Sequence, residues 1–235
     1  MAKEISELCR RYRQLSAPLV YDVLDQMGYP HQALSAEIRP LAPGMVAIGP
    51  AFTVEGRDRE LASLPSVSLY QLFRDLTPHA VIVLATCGHR TSGPWGENTS
   101  ISAQLRGCHG LVTDGGVRDA SALIAMGFPT FCRFVTPVYS QGRFAITGYQ
   151  IPVVLPGQLS ETVTIHPGDF ILADQDGIVV VPARLAEDVL LAAEELRTIE
   201  ERIRAALRSG EDREQVYRRY PKFDHIQRHT QHEGG

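Results

Sequence analysis

A cation and an anion stand side by side just after a short apolar run. In Gly110-Leu-Val-Thr-Asp-Gly-Gly-Val-Arg118-Asp119 the apolar residues indicate a strand, Asp114-Gly115-Gly116 indicates a turn, and the following Ala-Ser-Ala-Leu-Ile-Ala-Met indicates a helix. Ligands bind at such strand-to-helix junctions in open α/β sheets. A guanidinium offers a planar fork to a carboxylate or enolate, and a carboxylate offers a hard oxygen to a divalent metal. The pattern equally fits a turn closed by a surface ion pair, with Asp119 as the helix N-cap.

A second strand-loop-helix unit precedes the first. Ser92-Gly-Pro-Trp-Gly96 indicates a loop, and the residues from Glu97 to Leu105 indicate a helix of about three turns. The free amides at a helix start favour anions, and Gly96 would let a ligand approach the backbone closely. Glu97 adds a second carboxylate. Two carboxylates, one arginine and free amides are a suitable set for a metal and a small keto acid.

The elements around these residues indicate a mixed α/β fold. The apolar run 80–85 is typical of a strand buried on both faces, and helices predicted at 97–106 and 119–126 alternate with strands at 110–113 and 129–134. This alternation predicts βαβ crossovers and a partly parallel sheet. From 150 onward, short β-rich runs separated by Pro-Gly and Asp-Gly turns indicate antiparallel pairing.

The rest of the chain is predicted to be mainly helical. Helices are expected at 3–14, 18–27 and 64–76, and strands around a Gly-Pro corner at 45–54. A long helix is expected at 183–209, because an apolar stripe from Leu185 to Leu207 recurs every three or four positions. That stripe must pack on the chain's own core or on another subunit. We therefore expect a single domain over 1–210 and a polar, loosely ordered tail over 211–235.

Composition narrows the partners. The chain has 235 residues, of which 44% are hydrophobic, so a sizeable hydrophobic core is expected. Its net charge is −4, so nucleic acid is not expected as a binding partner. We expect neither a signal peptide nor a membrane span. The four cysteines are scattered without a Cys-x-x-Cys pair, which favours free thiols in a cytoplasmic protein.

The lysine inventory bears on mechanism. An enzyme that forms an enolate without a Schiff-base lysine needs a metal or another cation to stabilise it. Lys3 and Lys222 are the only lysines, and neither follows a predicted strand. The residues therefore favour a metal-dependent route. His89 lies between the apolar strand and the Glu97 loop, where it would read the distal end of a substrate or would simply be a satisfied histidine.

The pattern Trp95-Gly-Glu97…Arg106-Gly…Gly110-Leu-Val-Thr-Asp-Gly-Gly-Val-Arg-Asp119 resembles the RraA-like family. That family includes regulators of ribonuclease activity and class II aldolases acting on 4-hydroxy-4-methyl-2-oxoglutarate. The segments 15–28, 49–54 and 167–182 are also similar to family blocks. The resemblance implies a swivelling β/β/α three-layer fold and a homo-oligomer, a trimer or a hexamer.

The resemblance also implies roles for individual residues. Asp119 would coordinate Mg²⁺ or Mn²⁺, and Arg118 would contact the oxygen of the keto acid. The backbone amides of Asn98 and Thr99 would hold the substrate carboxylate, and Glu97 would act through metal-bound water. A glutamate of the C-terminal helix completes the site from the neighbouring subunit in related aldolases, and Glu200 is the best match, with Glu201 nearly as good.

Three functions are weighed on these grounds. The first is a divalent-metal lyase that cleaves a C–C bond of a 2-oxo acid such as 4-hydroxy-4-methyl-2-oxoglutarate or oxaloacetate. The second is a non-enzymatic regulator of ribonuclease activity, which would not need the carboxylates at Glu97 and in the C-terminal helix. The third is a metal-dependent hydratase or hydrolase, with which the polar residues Asn98, Thr99 and Ser100 are compatible.

Overall fold

The structure, a computed structural model, describes residues 2–59 and 66–228. Among these residues, no helix is both long and apolar enough to cross a bilayer. The helices are α1 (Ala2–Tyr12), α2 (Ala17–Gln26), α3 (Leu69–Asp75), α4 (Glu97–Leu105), α5 (Ala120–Ala125), α6 (Ala186–Arg208) and α7 (Arg213–Arg219). A 3₁₀ turn, Ala183–Leu185, leads into α6.

The strands of the described residues lie between α2 and α6 in the chain. In chain order they are β1 (Arg39–Pro40), β2 (Ala47–Asp58), β3 (Val81–Ala85), β4 (Gly110–Thr113), β5 (Gly116–Val117), β6 (Thr130–Cys132), β7 (Phe134–Val135), β8 (Phe144–Tyr149), β9 (Val153–Pro156), β10 (Thr162–Ile165), β11 (Phe170–Ala173) and β12 (Ile178–Val181).

The main sheet has eight strands, and its order is β1-β6-β4-β3-β2-β11-β12, with β8 paired to one end of β2. The pairs β2–β3, β3–β4 and β4–β6 are parallel, whereas β11 is antiparallel to β2 and β12. The expected parallel centre and antiparallel C-terminal strands are therefore confirmed. Residues 45–54 do not form strands around a corner, because Gly49 and Pro50 lie inside the long, continuous β2.

Side-chain alternation divides the core into layers. Val81 and Val83 face a cluster formed with the β9–β10 hairpin, whereas Ile82 and Leu84 face a second cluster under α3 and α4. Successive strand residues point to opposite faces, so each strand contributes to both clusters. The hairpin, the curled sheet and the outer helices form β, β and α layers, as the family resemblance implied.

The long C-terminal helix is present, and its apolar stripe is covered within the chain. Val189 and Leu196 pack with α1 and α2, and Ile203 packs with Val216 of α7. The expectation of loose order after residue 210 is wrong for 213–219, because Asp212 caps α7 and Val216 is fully buried. Residues 229–235 of that tail lie outside the described residues, and the domain boundary at 210 stays a prediction.

Candidate functional site

Two adjacent parallel strands bring the predicted residues together. In β3 and β4, Leu84 pairs with Thr113, so the loops that follow these strands leave the sheet side by side. A parallel bridge joins Trp95 to Val117, and the amide of Arg118 donates to the carbonyl of Trp95 at 2.9 Å. The start of α4 is thereby held against the Arg118-Asp119 pair.

The carboxylate of Asp119 connects the two units. Its Oδ2 accepts hydrogen bonds from Nε of Arg118 at 3.3 Å and from the backbone amide of Glu97 at 3.2 Å. The side chains of Arg118 and Asp119 are 31% and 36% exposed, so both are reachable by a ligand. The guanidinium of Arg118 also lies 4.9 Å from the ring centroid of Tyr139, which helps to orient it.

Asp119 occupies the N-cap position of α5 but does not cap that helix. No hydrogen bond joins its side chain to the first turn of α5, and its φ of 58° places it in the left-handed region. Its carboxylate instead contacts Glu97, the first residue of the neighbouring helix α4. The interpretation of Asp119 as a cap for its own helix is therefore wrong. Aspartate adopts the left-handed region more readily than most residues, and here that conformation turns the carboxylate towards α4.

The first turn of α4 presents backbone amides at the same place. The helix begins at Glu97, so the amides of Asn98 and Thr99 have no helical carbonyl one turn earlier to accept their hydrogens. The Glu97 side chain is exposed. Gly96, which immediately precedes the helix, contributes no side chain, and its backbone faces Arg118 and Asp119.

His89 is held inside the loop that leads to Gly96. Its ring is 1% exposed, Nδ1 contacts the Asp58 carboxylate, and Nε2 lies 2.6 Å from the hydroxyl of Ser92. Both ring nitrogens are thus engaged, and a direct contact with substrate would require one of these bonds to break. The geometry gives the predicted substrate contact no support and indicates a role in positioning the loop.

The Ser92-His89-Asp58 arrangement has the connectivity of a hydrolytic triad. Ser92 is fully buried, however, and the amide of the next residue, Gly93, already donates to the carbonyl of Val138. The serine therefore lacks both substrate access and that oxyanion donor. We interpret the three residues as a structural network.

Asp114 is a residue whose importance sequence reasoning did not recognise. Its carboxylate is buried and accepts hydrogen bonds from the amide of Thr86 at 2.7 Å and from the Thr86 hydroxyl at 2.9 Å. These bonds tie the end of β3 to the end of β4. Burial raises the pKa of Asp114 above its ordinary value, although both Thr86 bonds act in the opposite direction. Its position directly after a short, largely apolar strand was the available signal.

Glu200 is not brought to the site within one chain. It lies on α6, where its carboxylate contacts Nζ of Lys222 at 2.6 Å and Nη1 of Arg204 at 2.8 Å. Burial alone would raise the pKa of Glu200, but these cations outweigh it and lower the pKa. The predicted contribution of Glu200 across a subunit interface stays a prediction.

Asp119 and Glu97 are the side chains at this point that could hold a divalent metal ion. Within residues 2–59 and 66–228, no cluster of three or more histidine, cysteine, aspartate or glutamate side chains could enclose a metal ion. Mg²⁺ commonly uses one or two carboxylates and fills its remaining positions with water and substrate. Asp119, with Glu97 beside it, provides such a set.

The chain belongs to the RraA-like family: its residues 17–180 match the family model described as Aldolase/RraA. It is 29% identical over 201 residues to a Halalkalibacterium halodurans protein provisionally named a 4-hydroxy-4-methyl-2-oxoglutarate aldolase. That match covers 86% of this chain and 89% of the relative. The predicted family is therefore confirmed.

Two further relatives show how varied the family is. The chain is 31% identical over 201 residues to the protein DlpA of Legionella pneumophila, and the match covers 86% of this chain but only 32% of DlpA. Streptomyces coelicolor RraAS2, described as an unusual member of the RNase ES inhibitor RraA family, superposes with a TM-score of 0.73 at 29% identity. That superposition covers 83% of this chain and 95% of RraAS2. The family thus spans proteins named as enzymes and as inhibitors.

Proposed function

We propose that this protein is a divalent-metal-dependent lyase that cleaves a C–C bond of a 2-oxo acid, such as 4-hydroxy-4-methyl-2-oxoglutarate or oxaloacetate. The observation that carries the proposal is the meeting of Arg118, Asp119 and the first turn of α4 at one exposed point. One cation, two carboxylates and free amides suit a small, anionic keto acid. The provisional name of the H. halodurans relative supports the same reaction class.

Each group has a task in this reaction. The amides of Asn98 and Thr99 would bind the substrate carboxylate, as helix starts commonly bind anions. Arg118 would donate to the 2-oxo oxygen and stabilise the negative charge that develops there as the C–C bond breaks. Asp119 would hold Mg²⁺ or Mn²⁺, with Glu97 hydrogen-bonding to a water molecule beside it. The metal, when bound, would supply Lewis-acid polarisation of the 2-oxo group.

The lysines support this choice over a Schiff-base route. Lys222 lies against Glu200 and Asp22, away from α4 and α5. Burial alone would lower the pKa of Lys222, but the hydrogen bond and charge of Glu200 outweigh it and raise the pKa. The amine is therefore held protonated and is a poor nucleophile. Lys3 lies on α1, which packs with α2 and α6 in a different cluster from the one under α4.

The experiment is a screen of 2-oxo acids with Mg²⁺ or Mn²⁺, following pyruvate release with and without a chelator. We expect pyruvate release to require the metal. In Arg118→Lys, kcat/KM should fall at least about 100-fold, because a lysine ammonium cannot reproduce the two parallel hydrogen bonds of the planar guanidinium. Arg106→Lys, at the exposed end of α4, is the matched control and should behave as wild type. Full turnover after exhaustive chelation would contradict the metal-dependent mechanism.

The second candidate function is regulation of a ribonuclease, which the similarity to RraAS2 supports. Tight binding to a ribonuclease together with no turnover of any 2-oxo acid would favour it. A metal-dependent hydratase or hydrolase is the third candidate, because Asn98 and Thr99 are polar. Water addition without pyruvate release would favour that reaction.

A further inference from the structure

A cavity of about 480 Å³ lies beside the Trp95 loop. Its walls come from β8, from the segment that precedes α3 and from Pro94 and Trp95. Arg118, Asp119 and Glu97 do not line it. The volume lies within the range of small-molecule sites, and the cavity is not part of the proposed catalytic site.

The inner part of the cavity is apolar. Leu84 and Trp95, each 1% exposed, form its base, and Phe144 and Ile146 add further apolar surface. At the rim, the side chain of Tyr70 is 84% exposed. Leu69, which also lines the cavity, is 43% exposed, so the rim and the base together offer apolar surface to a ligand.

The outer part is polar and positively charged. Arg59 is the one charged residue among the described residues that line the cavity, and no ion pair to its guanidinium is found within 2–59 and 66–228. The hydroxyls of Ser66, Ser68 and Ser140 also line the cavity, and none of them donates or accepts a side-chain hydrogen bond among the described residues. Among the described residues that line the cavity, the polar side chains offered to a ligand include one cation and three serine hydroxyls, and none is a carboxylate.

We propose that this cavity is a second ligand site, which binds a small amphipathic carboxylate: an aromatic or branched aliphatic acid. The carboxylate pairs with Arg59 and the serine hydroxyls, and the apolar group lies against Trp95 and Phe144. Arginine suits this role because its planar fork matches a carboxylate. The ligand needs no 2-oxo group and no metal, so the proposal does not depend on the lyase reaction.

Phenylacetate is a suitable probe, with isovalerate as the branched aliphatic probe. Titration calorimetry on the full chain should show binding of both acids. Phenylacetamide, which lacks the charge, and acetate, which lacks the apolar group, should each bind at least about tenfold more weakly. Binding should persist in the presence of a chelator. Failure of both acids to bind at millimolar concentration would overturn the proposal.

Variants locate the bound acid. Arg59→Gln should weaken phenylacetate binding at least tenfold, and Ala145→Leu should abolish it, because Ala145 lines the cavity and a larger side chain would fill it. Arg57→Gln is the matched control: Arg57 is two residues away, pairs with Glu55 and does not line the cavity. Thermal unfolding should show that each variant folds.

Arg118→Gln separates this site from the proposed catalytic one. Phenylacetate binding should be unchanged in this variant, whereas turnover of 2-oxo acids should fall. Loss of binding in Arg118→Gln with retention in Arg59→Gln would place the acid at the Arg118 site and overturn the proposal. Because the readout is binding, a protein without lyase activity would still test it.

Discussion

The α-carbon of Gly96 faces the carboxylate of Asp119 so closely that a Cβ on Gly96 would lie 2.6 Å from Oδ2, and 2.9 Å from Cγ of Arg118. The φ of Gly96 is −156°, an extended value that any residue adopts. The requirement for glycine is therefore steric. It arises from Arg118 and Asp119, the two side chains at the centre of the proposed site.

Gly96→Ala should lower kcat/KM by about 100-fold, because displacing Arg118 or Asp119 by about 1 Å costs that much in a positioned site. Overpacking should lower the free energy of unfolding by about 1–3 kcal/mol. Steady-state kinetics and urea unfolding would measure both. Gly44→Ala is the control: its φ of 79° strains an added side chain, but nothing lies within 4 Å, so stability should fall while activity stays. Unchanged kinetics in Gly96→Ala would show that the packing is not needed.

Asp119→Asn should abolish metal-dependent turnover while preserving the fold. Asparagine tolerates the left-handed conformation and can still accept from the Glu97 amide, so the free energy of unfolding should change by less than about 1 kcal/mol. Loss of the charged ligand should lower kcat/KM by at least about 100-fold. Calorimetric Mg²⁺ titration would report metal binding directly. Asp188→Asn, on the exposed face of α6, is the control. Wild-type metal affinity in Asp119→Asn would place the metal elsewhere.

We expect His89→Ala to lower activity by disturbing the loop that leads to Gly96. Removal of the buried ring leaves the Ser92 hydroxyl without its partner and opens a cavity, so the free energy of unfolding should fall by about 2 kcal/mol or more. We expect kcat to fall together with stability, whereas KM should change little. His31→Ala, at an exposed histidine, is the control. A large rise in KM at unchanged stability would instead support direct substrate contact.

Asp114 should make stability depend on pH. Its pKa is raised in the folded protein from the ordinary value of 3.8, so the folded state binds a proton more readily than the unfolded chain. The stabilisation is present below 3.8 and is lost as the pH rises through the folded pKa. Urea unfolding across the acidic range should show that wild-type stability, relative to Asp114→Asn, falls with increasing pH. A relative stability that rises with pH would show that the Thr86 bonds dominate.

Glu200 offers a test of assembly. Refolding Asp119→Asn together with Glu200→Gln should restore part of the activity, because some interfaces in a mixed trimer or hexamer would join an intact Asp119 to an intact Glu200. Light scattering would give the oligomer size. Glu201→Gln, one residue along and more exposed, is the control and should be active alone. Folded mixtures with no recovered activity would assign the whole site to one subunit.

Local patterns were sufficient to predict the framework of the site. The strand Gly110–Thr113 was predicted with correct bounds, and α4 was predicted to within one residue, because each combines a clear apolar run with glycine or helix-start signals. The meeting of Arg118 with the start of α4 followed from parallel strand order. These features depend on short stretches of sequence and on one general rule of topology.

Long-range contacts could not be predicted in the same way. The burial of His89 depends on Asp58, which reaches it from β2, and the capping of α4 depends on the backbone conformation of Asp119. The helix α7 has no strong periodicity of its own and is stabilised by the Asp212 cap and by Val216 and Tyr217, which pack against α6. The oligomer was inferred in part from the α6 stripe, which the chain itself covers, so that argument now rests on the family resemblance alone.

The bridge between Trp95 and Val117 has a consequence for the order of folding. We expect the two loops that carry the site to meet only after β3 and β4 have paired in parallel, which requires a crossover connection to close first. Neither loop alone provides the complete site. During refolding, helical signal should therefore return before any ligand affinity does, and a chain arrested midway would have secondary structure but no binding site.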